Sequence, residues 1–263
     1  MAGGGKNSDA RAVNDFRPAL DVVLTSLRDI RDGSTRLPRA SITSLHLLRQ
    51  PSPAVSRPNG QAELLAPIRA RVSVCTKCPH LAASRTQTVF GVGNPDAELM
   101  FIGEAPGAEE DAKGEPFVGR AGRLLTRIIE TMGFTRDEIY IANVLKCRPD
   151  MPAGSSGNRP PTPQEMATCL PYLSEQIEII RPKVIVALGA TAVEGLLGTR
   201  GTMRDLRGKW HSHQQTPLMI TYHPSYLLRN QSPAEKRKVW EDMLLVLERL
   251  GRPISEKQQR YFL

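Results

Sequence analysis

The chain has 263 residues, enough for one sizeable core with appended ends. Its formal net charge is +8 and its aromatic content only 5%, a balance that favours a polyanionic partner, nucleic acid ahead of a membrane surface. Neither a secretory segment nor a run of about 18 apolar residues is present, so no signal peptide or membrane span is expected; the four cysteines of such an intracellular, cytoplasmic chain are expected as metal ligands or buried thiols, not disulfides.

Residues 1–72 are irregular in composition, with Gly, Ser, Pro and Arg scattered through GSTRLPRAS and RQPSPAVSRPNGQ. They are expected to form an N-terminal extension, partly disordered, with one amphipathic helix over Pro18–Ile30 carried by Leu20, Val23, Leu24 and Leu27. A basic arm touching DNA is the functional alternative for this region. Order begins near residue 73, where Cys75 and Cys78 form a CxxC pair that gives two thiolates a shared bite on one metal.

The run LMFIG at 99–103 reads as a buried strand, and Gly103, Pro106 and Gly107 make its exit a tight turn. In open α/β sheets ligands bind beyond the carboxyl ends of strands, so Glu104 is expected to project into a cleft. An ordinary solvated loop is the plain alternative. Leu124, Leu125, Ile128, Ile129 and Met132 then mark one face of a helix closed by Gly133, and EIYIANVLKC is a strand ending near Asn143 and Cys147.

After the loop MPAGSSGNRP, Thr162, Pro163 and Glu165 form a capping box that opens a helix carrying Cys169; Pro171 is expected to kink or divide it. KVIVALG is a buried strand and ATAVEGLLG a short helix stopped by Gly198. A basic loop leads to a second apolar run, Pro217–Thr221, whose exit carries His223, Pro224 and Ser225. Two strand exits offering a carboxylate and an imidazole suggest one shared site, although a lone histidine is more often structural. Ser232, Pro233 and Glu235 open a last helix with Val239, Trp240, Met243, Leu247 and Leu250 inward, and residues 252–263 form a C-terminal tail. Four alternations of strand and helix argue an α/β fold: a three-layer α/β/α sandwich around a four-stranded parallel sheet, in a domain spanning 73–251.

Cys147 and Cys169 lie far along the chain from the CxxC pair and complete a four-ligand set if the fold brings them together; spacing alone does not separate zinc from an iron-sulfur cluster. The motifs GEAPGAEED at 103–111, GEPFVGRAG at 114–122, NVLKCRP at 143–149, GNRPPTPQE at 157–165, LRGKW at 206–210 and HPSYLLRN at 223–230 together resemble the family 4 uracil-DNA glycosylases. The resemblance runs from about Cys75 to Gly251, with six motifs in the family's order.

It implies that Cys75, Cys78, Cys147 and Cys169 hold a 4Fe-4S cluster. It also implies that Glu104, Glu110 and His223 are catalytic, that Gly103, Gly107, Phe117 and Asn143 bind the base, and that Leu227 or Leu228, with Leu227 favoured, fills the gap in the base stack. Arg207, Lys209, Ser225 and Arg229 are then expected on the DNA. The implied activity is hydrolysis of the N-glycosidic bond of an extruded uracil in single- or double-stranded DNA, by a monofunctional, monomeric repair enzyme without membrane association. A non-catalytic iron-sulfur module that binds nucleic acid or a polymerase is the competing reading. A suicide-type relative, joined covalently to its product, would need a histidine in the Gly201–Trp210 loop, which has none before Trp210. Two departures stand out: a longer lead-in before Cys75 and extra residues around MPAGSSG, which carry Cys169 farther from Cys147.

Overall fold

The computed structural model describes residues 60–151, 155 and 157–263, together with Thr25, Arg28, Asp32 and Gly33. The expected helix over Pro18–Ile30 lies otherwise outside the described residues; Thr25 and Arg28 are helical. The compact unit that carries the site runs from Pro58 to Leu263.

Its first element is α1 (Gly60–Ser73), which buries Leu65, Ile68 and Val72. Helical order thus begins inside the expected extension, because these three residues recur at helical spacing and face the core. The CxxC pair and α2 (Pro79–Ser84) follow, then β1 (Val92–Gly93), β2 (Leu99–Gly103), α3 (Ala108–Lys113), α4 (Arg120–Met132) and β3 (Tyr140–Asn143). The second half contributes α5 (Pro163–Ile180), β4 (Val184–Leu188), α6 (Ala190–Leu197), α7 (Met203–Leu206), β5 (Trp210–His213), β6 (Thr216–Thr221), α8 (Pro224–Arg229), α9 (Pro233–Arg249) and α10 (Glu256–Gln259).

The sheet has six strands in the order β1-β3-β2-β4-β6-β5, which corrects the expected four. β3, β2, β4 and β6 pair in parallel, while β1 and β5 add antiparallel edges. The edges escaped sequence reading for a physical reason. β1 is two residues long, and WHSH in β5 has no buried residue to create an apolar run.

Alternate strand residues feed two cores, as period-2 side-chain alternation requires. Met100, Ile102, Ala142, Ile185, Ala187 and Ile220 pack with α1, α5 and α6. Phe101, Ile141, Val184, Val186 and Met219 pack with α4 and α9. Helix α5 is capped as expected, Thr162 Oγ1 accepting from Glu165 N–H at 3.2 Å and Glu165 Oε2 from Thr162 N–H at 2.6 Å. Pro171 does not divide it: one helix runs from Pro163 to Ile180. The C-terminal residues are likewise docked, with Trp240 Nε1–H donating to the Gln258 carbonyl and Tyr261 edge-on to the Trp240 ring at 5.4 Å. No described helix is long and apolar enough to cross a membrane.

Candidate active site and cysteine nest

The parallel strands end together, and their exits enclose a cleft of about 590 Å3 lined by Glu104, Phe117, Asn143, Asn158, His223 and Arg229, among others. Register explains the meeting: Gly103 of β2 pairs with Asn143 of β3, and Leu188 of β4 with Thr221 of β6. Gly103 is the floor. A Cβ there would come within 2.5 Å of both Asn143 Oδ1 and Phe117 Cζ, so only glycine lets the amide and the ring share this space.

Asn143 is buried, and its Oδ1 has no hydrogen-bond partner. An unpaired buried acceptor costs about 1–3 kcal/mol; Arg148 Nε and His213 Nε2 are unpaired too, but of the three only Asn143 Oδ1 lines the cleft, where a ligand can supply the missing donor. Phe117 is buried beside His223, ring centroids 5.6 Å apart, and its backbone sits at φ +56°. For a non-glycine residue this conformation costs on the order of 1–3 kcal/mol and is held only by its surroundings.

His223 caps α8. Its Nδ1 accepts from Ser225 N–H at 3.1 Å and lies 2.8 Å from Ser225 Oγ, which leaves the ring proton on Nε2. Burial, helped by the positive charge of Arg229, lowers its pKa to about 4. At neutral pH it is therefore a neutral imidazole with an N–H to donate. Gly189, at φ +89° at the end of β4, leaves the room this side chain needs, since a Cβ there would reach 3.0 Å from His223 Cβ. Burial raises the pKa of Glu104 above its ordinary value, and a hydrogen bond with Thr191 works against the rise.

Glu110 is a clamp. Its Oε1 accepts from Val118 N–H (3.0 Å) and Gly119 N–H (2.9 Å), and its Oε2 from Gly107 N–H (3.1 Å), tying the turn after β2 to the Phe117 loop. A Cβ on Gly107 would meet Glu110 Oε2 at 2.7 Å and Asn158 Nδ2 at 3.1 Å, so those two groups occupy the place of a side chain.

The four cysteines, all free thiols, gather around a void of about 20 Å3 that Leu81, Arg85 and Tyr172 also line. Cys75 and Cys78 come from the α1–α2 junction, Cys147 from the exit of β3 and Cys169 from α5. Donors point at sulfur: Lys146 N–H reaches Cys169 Sγ at 3.2 Å and Arg85 Nη1–H reaches Cys147 Sγ at 3.1 Å. Burial raises the thiol pKa of Cys78, Cys147 and Cys169, the last to about 11. The loop between Cys147 and α5 is pinned by Arg159, which pairs with Asp150 and donates to Glu165 Oε1 at 2.7 Å; His80 Nε2 also lies 2.7 Å from that oxygen. Cys169 thus reaches the nest despite its longer separation from Cys147 in the sequence.

A model of the Uracil DNA glycosylase superfamily matches residues 90–244. Type-4 uracil-DNA glycosylases of three organisms are similar to this chain. That of Thermotoga maritima is 47% identical over 185 residues, covering 69% of this chain and 92% of its own. That of Archaeoglobus fulgidus is 40% identical over 192 residues, covering 68% and 93%. That of Sulfurisphaera tokodaii is 42% identical over 187 residues, covering 68% and 80%. The chain belongs to the type-4 uracil-DNA glycosylases.

Seen as a type-4 site, the cleft brings together Glu104, Phe117, Asn143 and His223, with Ser225 and the exposed Arg229 at its rim. Three of the expected residues are placed as follows. Glu110 spends its carboxylate on backbone N–H groups and acts as a loop clamp. Leu227 is only 5% exposed, on the buried face of α8, whereas Leu228 is half-buried, so Leu228 is the leucine nearer the surface. Arg207 faces inward: Nε and Nη2 donate to the buried Asp242 at 3.1 and 2.7 Å, and Nη2 also donates to the Lys238 carbonyl. Asp242 in turn accepts from Thr221 Oγ1 at 2.6 Å, so this pair braces the end of β6 just before His223. Lys209 stays exposed. Sequence reading missed Asn158 and Arg159, which line the cleft, and Thr191, which hydrogen-bonds with Glu104; the first two lie within the GNRPPTPQE motif, which was the available signal.

Proposed function

We propose that this chain removes uracil from DNA by hydrolysing its N-glycosidic bond, and that it leaves an intact abasic site. The observation that carries this reading is the pairing of an unpartnered acceptor, Asn143 Oδ1, with a neutral donor, His223 Nε2–H, across one cleft beside Phe117. Uracil offers the complement: an N3–H for Asn143 and a carbonyl oxygen for His223. Cytosine, whose N3 is an acceptor, would face Asn143 Oδ1 acceptor to acceptor. Membership of the type-4 glycosylases supports the same substrate.

The chemistry follows from these groups. A base inside a duplex cannot be reached, so it is extruded, at a cost of a few kcal/mol that stacking on Phe117 partly offsets. As the bond breaks, negative charge grows on the pyrimidine oxygen, where the Nε2–H of His223 stabilises it without first losing a proton of its own. Positive charge grows on the sugar, where an ionised Glu104 stabilises it or holds the attacking water. No lysine nucleophile is required, so the reaction stops at the abasic site.

We further propose that Cys75, Cys78, Cys147 and Cys169 hold a 4Fe-4S cluster. The N–H donors aimed at Cys147 and Cys169 suit anionic sulfur, and membership of the type-4 glycosylases supports the cluster over zinc. When bound, the cluster supplies a structural cross-link among α1, β3 and α5. The protein acts as a monomer on single- and double-stranded DNA, in the cytoplasm.

The test is release of uracil from single- and double-stranded oligonucleotides carrying one uracil. Free uracil and an alkali-labile abasic strand are expected; DNA binding without release would support the non-catalytic module instead.

A further inference from the structure

We infer that Arg136, outside every motif quoted above, is a positioning residue that holds Phe117 in its base-stacking pose; this rests on the proposed excision of an extruded base. Phe117 is at φ +56°, a conformation an L side chain rarely adopts without support. Its support is specific. Arg136 Nη2–H donates to the Pro116 carbonyl at 2.9 Å, and Nη1–H donates to the Phe117 carbonyl at 3.3 Å and to Thr126 Oγ1 at 3.1 Å. One guanidinium thus fixes two successive carbonyls of the strained turn and anchors them to α4.

The other side of the turn is closed as well. A Cβ on Gly122 would collide with the Phe117 carbonyl, so α4 presses bare backbone against it. The ring that results is only 6% exposed and is wedged against Gly103 and His223. A planar fork of donors suits two adjacent carbonyls as a lysine's single ammonium does not. Arg136 touches neither the base-reading atoms nor the cysteine nest; it acts through Phe117.

A double-mutant cycle tests this on the full chain with single-turnover excision from a uracil oligonucleotide, after the cysteine-nest absorbance and the thermal midpoint show each variant folded. Arg136→Ala is expected to lower the single-turnover excision rate at sub-saturating enzyme on the order of tenfold, as Phe117→Ala is also expected to do, with weaker inhibition by free uracil. Arg136→Lys should recover part of the loss. In the Phe117→Ala background, Arg136→Ala should have no further effect, because the ring it positions is gone. Equal fold losses in both backgrounds, or unchanged inhibition by uracil, would overturn the inference. Failure of the unsubstituted protein to release uracil would instead overturn the reading on which it rests.

Discussion

The base cleft and the cysteine nest share one stretch of chain, Asn143–Cys147, and treat its polar groups differently. In the cleft, Asn143 Oδ1 is buried without a partner and His223 keeps its Nε2–H free for another acceptor. At the nest, four residues on, polar groups are engaged within the protein: Lys146 N–H on Cys169 Sγ, and Lys146 Nζ on the Asn143 carbonyl at 2.9 Å and Gln176 Oε1 at 2.6 Å. Of the three buried polar side-chain atoms without a partner among the described residues, Asn143 Oδ1, Arg148 Nε and His213 Nε2, only Asn143 Oδ1 lines the cleft, where an incoming ligand can complete it.

That contrast can be broken most sharply at Asn143. Asn143→Ala removes the unpartnered acceptor and should slow excision about a hundredfold to a thousandfold, while the nest keeps its absorbance. If the rate is unaffected, the orphaned amide is not a substrate reader. Cys75→Ala should do the reverse, lowering soluble yield and iron content before turnover per folded molecule. Anaerobically purified protein with stoichiometric zinc and no iron would refute the cluster.

A smaller effect is expected from pH. The Glu104 carboxyl titrates above its ordinary 4.5 because it is buried, so its carboxylate, and with it activity, should be lost as pH falls through that raised pKa. His223, at about 4, is still neutral there and contributes nothing to this limb. Glu104→Gln should therefore abolish the limb in a pH–rate profile; persistence of the limb would assign it elsewhere.

The smallest effects separate inward from outward cations. Lys209→Ala should reduce the slope of log affinity against log salt by about 1, as loss of one phosphate contact does. Arg207→Ala should leave that slope unchanged and lower the thermal midpoint, since its guanidinium braces Asp242. A salt slope altered by Arg207→Ala would restore that residue to the DNA surface.

These cases also show what sequence can carry. The buried strands were readable because LMFIG and VIVAL are uninterrupted apolar runs, and the helix starts because Thr162 and Ser232 are side-chain N-caps, Thr162 within a full capping box and Ser232 without the reciprocal bond from Glu235. Glu104, Asn143 and His223 were readable as polar residues ending apolar runs. What pattern could not carry was direction. Arg207 and Lys209 are two residues apart in one basic loop, yet only a buried carboxylate 35 positions away decides that the first turns inward. Leu227 and Leu228 are adjacent and chemically identical, and only the roll of α8 buries one. Helix α1 was missed because Pro67 and flanking Gly and Pro disguise a stretch whose helicity depends on packing Leu65, Ile68 and Val72 into the core.

The central claim is that His223 is a neutral donor to the departing base, and single-turnover excision by His223→Ala at saturating enzyme tests it most directly. The account predicts a rate about a hundredfold to a thousandfold below that of the unsubstituted protein, with affinity for uracil-containing DNA nearly unchanged and no adduct trapped by borohydride. An unchanged rate would contradict the role of His223, and a trapped adduct would contradict the direct hydrolytic route.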